Sequence, residues 1–242
     1  MSKRRILDLC CGQGGAARGY AQAGFEVVGW DIHPQPRYPY EFNQGDALAV
    51  LRDRAYVQTF HAIHMSWPCQ AYSPLNALPT TKAAIEHPDL VGPGRELALT
   101  YDMPWVIENV MAAPLDRRRS IVLCGGMFGL RTYRHRRFEP SPGLTLLAPA
   151  HPKHVIRTAT KQRRQRWAEG WHVSITGDVG TYVGPEAMGI DWMTGNGLSE
   201  AIPPAYTSLI GMQLINALTS GITVPSQGDL FDDFGVFQGQ VA

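Results

Sequence analysis

Two short stretches carry residue types that can do chemistry together. Trp67-Pro68-Cys69-Gln70 follows the β-rich run Phe60-His61-Ala62-Ile63-His64-Met65, and Trp105-Val106-Ile107-Glu108-Asn109-Val110 comes later in the chain. Pro68 before Cys69 and Gln70-Ala71-Tyr72-Ser73-Pro74 after it make a loop. A cysteine on such a loop is less suited to packing than to reaction. Glu108 ends an apolar strand, so its carboxyl is partly desolvated, its pKa is raised and a proton stays available. The alternative is a Glu or Asn that only caps a helix. A thiol and a carboxyl at the C-terminal ends of successive strands can share one site. That pairing suits addition of a thiolate to a pyrimidine ring and handling of the ring's proton.

Two further groups of residues bear on that site. Asp8-Leu9-Cys10-Cys11-Gly12-Gln13-Gly14-Gly15 sits at a strand-to-helix junction, where glycines let a ligand approach the backbone and the helix start offers N–H donors. Asp31 closes the next strand, where a carboxylate can hold ribose hydroxyls. A dinucleotide, a mononucleotide or S-adenosylmethionine would each suit this arrangement, and a tight turn that needs glycine is the plain alternative. Asp46 is a candidate for an adenine amino group or for a helix cap. In Tyr133-Arg134-His135-Arg136-Arg137-Phe138, an extended backbone puts Arg134 and Arg136 on one face. Two guanidiniums there can meet a carbonyl, a phosphate or Glu108.

The elements that must position these residues alternate. Residues 4–10, 26–31, 60–66, 104–110 and 120–125 read as strands, with a short strand or its equivalent ending at Gly45-Asp46. Helices read over 16–23 and 47–55, and a last one opens at Pro203-Pro204, with Tyr206, Leu209, Ile210, Leu214, Ala217 and Leu218 as its apolar stripe. This rhythm predicts an α/β fold, a mostly parallel sheet with helices on both faces. Residues 139–195 break it with Pro140, Pro142, Pro149 and Pro152, then basic, aromatic and Gly-rich sequence. The predicted organisation is an α/β domain over 1–138, a small basic insert over 139–185, a return to the first domain over 186–221, and an acidic, aromatic tail over 222–242.

A net charge of +1 hides an asymmetry. From Arg117 to Arg166 the basic residues Arg117, Arg118, Arg119, Arg131, Arg134, Arg136, Arg137, Lys153, Arg157, Lys161, Arg163, Arg164 and Arg166 face one acid, Glu139. Such a band on an otherwise acidic chain predicts a polyanion partner, nucleic acid, rather than a merely solvated face. Within it Lys153, Arg157, Lys161, Arg163, Arg164 and Arg166 are candidates for phosphates, with Trp167, Trp171 and His172 available to stack on a base. Cys10, Cys11, Cys69 and Cys124 show no metal spacing, so no metal is expected, and a disulfide framework is not expected either. No apolar run reaches the ~20 residues of a membrane span, and the first residues lack the features of a signal peptide. The expected compartment is the cytoplasm.

Taken together, these residues resemble the DNA (cytosine-5) methyltransferase family. The resemblance runs from about Leu7 to about Gly211, interrupted by the insert. It rests on the Gly-rich loop, Asp31, Gly45-Asp46, Pro68-Cys69-Gln70, Glu108-Asn109-Val110, Arg134-x-Arg136 after Phe128-Gly129, and Ile202-Pro203-Pro204. The compact length and Glu186-Ala187-Met188-Gly189-Ile190-Asp191-Trp192-Met193 look like the short versions carried by bacteriophages, which implies a phage or prophage origin in a bacterial host. The family implies a Rossmann-like S-adenosylmethionine-dependent methyltransferase sheet with a small target-recognition insert. It implies Cys69 as the nucleophile at cytosine C6, Glu108 at N3, Arg136 at O2, and Arg134 orienting Glu108 or the base. S-adenosylmethionine would lie against Cys10, Gly12, Gln13, Gly15, Asp31, Ile32, Asp46 and Pro68, with Glu200 toward its methionine ammonium. Gln70 and Ser73 would contact DNA, most simply a duplex with the target cytosine flipped out. Cys10 stands where the family usually has an aromatic, Thr132 where it has Gln, and Ser199-Glu200-Ala201 where it has Gly-Asn-Ser. The same chemistry on RNA, and a catalytically silent DNA-binding homologue, are the alternatives.

Overall fold

The computed structural model describes residues 3–72, 88–177 and 179–221. Its first strand, β1 (Arg5–Leu9), is buried at every residue after Arg5 because both of its faces are covered. Ile6 enters the core on one face, and Leu7 and Leu9 enter the core on the other. β2 (Glu26–Asp31) and β4 (Ala62–Ser66) flank β1 in parallel. β3 (Glu41–Gln44) extends the sheet beyond β2, and β5 (Trp105–Asn109) extends it beyond β4, again in parallel. β6 (Ile121–Leu123) and β7 (Arg136–Pro140) complete it. β7 lies between β5 and β6 and is antiparallel to both. The order is therefore β3-β2-β1-β4-β5-β7-β6. The reversal at β7 departs from simple βα alternation for a plain reason. The β6–β7 connection carries only a short 3-10 turn, Gly125–Phe128, and a parallel return would need a crossover.

Helices cover both faces. α1 (Gly15–Ala23) and α8 (Pro204–Thr219) pack on the Ile6 side through Ala17, Tyr20, Tyr206, Ile210 and Leu214. Their close approach depends on two glycines. A Cβ on Gly19 would stand 2.1 Å from Thr207 Oγ1, and one on Gly211 would stand 2.6 Å from the Ala23 Cβ. The opposite face holds α2 (Ala47–Arg52), α3 (Arg54–Val57) and α4 (Val91–Ala98), packed on Leu7, Leu9, Ile63 and Trp105. The helix expected over 47–55 is thus two, broken at Asp53, whose carboxylate accepts from Tyr56 N and starts the second. α4 was not legible, because Gly92, Pro93 and Gly94 oppose helix formation. Gly94 is there for the Trp67 indole, which would meet a Cβ at 2.1 Å.

A smaller unit follows, made of β8 (Thr158–Ala159), α5 (Arg163–Ala168), β9 (His172–Val173), α6 (Gly180–Met188) and α7 (Gly195–Glu200). Its own core contains Val173, Val183, Met188, Ile190 and Leu198. Both expected boundaries of the insert fall inside elements. Residue 139 belongs to β7 of the main sheet, and residue 185 lies within α6. The unit with a separate core runs instead from about 158 to about 201, and the main domain resumes at α8. The tail, 222–242, lies outside the described residues.

Candidate active site

β4 delivers Cys69 by a tethered loop. Trp67 is buried beneath α4, and its carbonyl accepts a hydrogen bond of 2.9 Å from Asn109 Nδ2 at the end of β5. Asn109 thereby fixes the backbone two residues ahead of Cys69. Beyond it, the Cys69 carbonyl accepts from Tyr72 N and closes the short 3-10 turn Gln70–Tyr72. Cys69 is half-buried, and burial pushes its thiol pKa up. The Arg136 guanidinium opposes that shift and the Glu108 carboxylate adds to it. The resting sulfur is therefore a thiol held in a field that favours its ionisation once Glu108 carries a proton.

Glu108 is buried on β5 and lies in register with Ser66 on β4. Its Oε1 is 3.2 Å from Arg136 Nε, where β7 begins. Burial raises the Glu108 pKa, against the opposing effects of Arg136, a hydrogen bond from Ser66, and Arg134. Behind Ser66 runs a polar chain that sequence reading missed. Ser66 Oγ is 2.8 Å from His64 Nε2, and His64 Nδ1 is 2.9 Å from the Tyr20 hydroxyl. Burial drives the His64 pKa down to about 3, so its ring is neutral, with one donor and one acceptor nitrogen. One tautomer gives every bond a proton: Tyr20 donates to Nδ1, Nε2–H donates to Ser66, and Ser66 donates to Glu108. The only sequence clue is the alternation of His64 and Ser66 on one face of β4.

Arg134 takes a different place from the one expected. Its guanidinium donates to the carbonyls of Ala201 (2.8 Å), Ile175 (2.9 Å) and Ser199 (2.7 Å). It binds the small unit to the sheet and acts on Glu108 and Cys69 only through its charge. Arg136, by contrast, is paired with Glu108 and donates to its neighbour's carbonyl, His135 O.

The Gly-rich loop reaches the ends of β1 and β2. Cys10, Gly12 and Gly14 all have positive φ, and a Cβ on Gly12 would meet nothing within 4 Å. Asp31 organises this mouth, with one carboxylate oxygen accepting from Gly12 N and the other from His33 N, both at 3.0 Å. Ile32 beside it is 61% exposed, an apolar surface at the strand end. Glu200 comes close enough to Asp31 for the two charges to interact, and its pKa is raised by burial and by that neighbour. Pro68 is half-buried between Trp67 and Cys69. Gly15 is closely packed, since a Cβ there would lie 2.5 Å from Ile202 O. Gln13 spends its amide on Thr194, accepting from the backbone N at 2.9 Å and donating to Oγ1 at 3.0 Å, because it joins the loop to α7. Asp46 caps α2 by accepting from Ala49 N at 2.8 Å.

The basic band separates in the same way. Arg163 is buried and donates to Ser174 O and Thr176 Oγ1, so it holds the small unit together and does not face a phosphate. Arg131 likewise donates to Trp167 O and Trp171 O. Glu139, the single acid of the band, is buried between Arg95 and Arg119. Lys153, Arg157, Lys161 and Arg164 stay exposed, whereas Arg166 is half-buried and pairs with Glu169. Arg157 and Arg166 lie over the Trp171 ring, and Arg164 lies over Tyr182. Gln70 opens the turn after Cys69, and Ser73 lies outside the described residues. Cys124, His135, His151 and His154 also come together in one group of possible ligand atoms. Among the described residues, no helix is long and apolar enough to cross a membrane.

The fold is the Rossmann-like fold of S-adenosylmethionine-dependent methyltransferases, with a thiol, a buried carboxyl and a guanidinium at its strand ends. No protein-family model and no curated protein matches the sequence. Solved structures match over most of the chain. One, encoded within an Escherichia coli prophage, is described as a DNA modification methyltransferase and matches with TM-score 0.54 and 15% identity over 89% of this chain and 99% of its own. Another is Dnmt2 of Spodoptera frugiperda, with TM-score 0.55 and 10% identity over 88% and 99%. A third is the Entamoeba histolytica methyltransferase EhMeth, with TM-score 0.57 and 12% identity over 90% and 99%. At these identities the likeness is one of fold.

Proposed function

We propose that this chain is an S-adenosylmethionine-dependent DNA cytosine-5 methyltransferase. The observation that carries the reading is the buried Glu108 carboxyl, paired with Arg136 at 3.2 Å, on the strand next to the one that delivers the Cys69 thiol. Cytosine C5 is a poor nucleophile. Addition of the Cys69 thiolate at C6 makes C5 enamine-like, while Glu108 holds a proton against N3 and offsets charge in the ring. Arg136 has N–H groups to offer the O2 carbonyl. After C5 is alkylated, loss of its proton expels the Cys69 thiolate and restores the ring. The target base leaves its stack to reach the thiol.

The residues at the ends of β1 and β2 suit the cofactor. Gly12 opens onto free space, Asp31 presents a carboxylate, Ile32 offers an apolar face, and Glu200 adds a second acid toward a cationic group. S-adenosylmethionine, when bound, supplies an electrophilic methyl group on sulfur. The similar structures, one of them described as a DNA modification methyltransferase, support the same reading.

The test is covalent trapping. Full-length protein with S-adenosylmethionine and 5-fluorocytosine-containing duplex DNA is expected to form a denaturation-resistant adduct that Cys69→Ser abolishes. Single-stranded DNA and RNA carrying 5-fluorocytosine run beside it. An adduct on RNA alone would move the substrate, and no adduct on any of the three would end the proposal.

A further inference from the structure

Among the described residues, Cys124, His135, His151 and His154 form a group whose possible ligand atoms all lie within 4.8 Å of one another. They come from separate parts of the chain. Cys124 follows β6 and begins the 3-10 turn, and His135 directly precedes β7. His151 and His154 lie on the connection from β7 to β8, which has no regular structure there. Cys124 Sγ is 3.3 Å from His154 Nε2, and His135 Nε2 is 3.0 Å from His151 Nε2.

These two contacts are slightly shorter than the edges of a coordination tetrahedron, and the other pairs of possible ligand atoms lie within 4.8 Å. Zinc bonds of about 2.05 Å to nitrogen and about 2.3 Å to sulfur give edges of roughly 3.3 Å between nitrogens and roughly 3.6 Å between sulfur and nitrogen. Each of the three rings makes these contacts through Nε2. The surroundings also suit a metal. The Tyr133 ring stacks on His154 at 3.6 Å, while its hydroxyl donates to Ile156 O and accepts from Ile156 N. Pro152, between the two loop histidines, sits so close to the turn that a Cβ on Gly126 would be 3.0 Å from it.

We propose that Cys124, His135, His151 and His154 bind one zinc ion in a closed structural site. One thiolate and three imidazoles are a donor set suited to zinc, and four protein ligands leave no open position for chemistry at the metal. Binding displaces the thiol proton of Cys124 into solvent as the sulfur–zinc bond forms. The ion would fasten the β7–β8 connection to the start of β7. His135 stands between Arg134 and Arg136, so the same ion would fix the backbone from which Arg134 reaches the small unit and Arg136 reaches Glu108. The sequence trace of this site is His151-x-x-His154, which a search for paired cysteines passes over.

Metal analysis tests this without any measurement of methyl transfer. Full-length protein, purified without a histidine tag or chelator, is expected to carry about one zinc per chain, or to take up one equivalent when titrated with Zn²⁺ against a chromophoric chelator. His151→Ala with His154→Ala, both at exposed positions, should keep the circular dichroism spectrum of the parent. That double variant should weaken zinc binding by more than the about 100-fold that losing a mere outer-shell partner can cost. With Co²⁺ in place of zinc, tetrahedral visible bands should appear together with a thiolate-to-cobalt charge-transfer band. Cys124→Ser should remove the charge-transfer band, whereas Cys69→Ser should keep it. Zinc binding no tighter in the parent than in the double variant, or a cobalt spectrum with no sulfur band, would overturn the proposal.

Discussion

Ser66 and Glu108 stand abreast on parallel strands β4 and β5, and the Ser66 hydroxyl hydrogen-bonds the Glu108 carboxylate. That bond joins the carboxyl to His64 and Tyr20, which lie buried behind it. It also stabilises the charged form of Glu108, so removing it raises the carboxyl's pKa further. In Ser66→Ala, protonated Glu108 should persist to higher pH. The alkaline limb of the kcat–pH profile is expected to move upward, and an unmoved limb would separate Ser66 from the titration.

Glu108→Gln keeps the shape of the side chain and removes its proton chemistry. Turnover should fall by about 10²–10⁴-fold, the range general acid–base groups contribute, while DNA affinity changes little. Stopped-flow turnover and fluorescence anisotropy on the same duplex provide the comparison. Equal losses in both would make Glu108 structural.

Arg134 and Arg136 should separate by phenotype. Arg134→Ala leaves three carbonyls unpaired between the sheet and the small unit, and is expected to cost about 3 kcal/mol in denaturant unfolding. Arg136→Ala should leave stability nearer the parent and act on kcat, since its partner is Glu108. Reversal of the two effects would exchange their roles.

Asp8 gives a pH signature of folding. It is buried, accepts from the Tyr38 hydroxyl, and burial raises its pKa from 3.8 to about 7. The folded state therefore binds more protons than the unfolded chain between those values. Stability from Asp8 is full below about pH 4 and is lost as pH rises through about 7. Asp8→Asn should gain on the parent across that window, by up to about 4 kcal/mol, in urea unfolding at successive pH values. His64, held neutral, costs stability in acid equally in both proteins, so the difference isolates Asp8.

On the basic face, Arg157→Ala, Lys161→Ala and Arg164→Ala together should weaken DNA binding and make the slope of log affinity against log salt shallower by up to about 0.9 per lost phosphate contact. Arg163→Ala should instead lower stability, with little change in slope, because its guanidinium serves Ser174 and Thr176.

The sequence by itself determined the strand ends and the residues they carry. Apolar runs that stop at Asp31, Ser66 and Asn109 are local patterns, and a proline before Cys69 is enough to place that thiol on a loop. Resemblance added roles to these residues. Tertiary structure decided what the polar side chains spend their hydrogen bonds on. Arg134, Arg163 and Gln13 read as ligand-facing, yet each is engaged by backbone groups or side chains of the protein, and Asp46, open to either reading, caps α2. An arginine's partners are carbonyls from distant turns, and nothing in its neighbours along the chain announces them. The same reason hid His64 behind Ser66, and it hid the meeting of Cys124 with three histidines. Those four residues come from three parts of the chain, and only the insertion of β7 between β5 and β6 and the return of its loop bring them together.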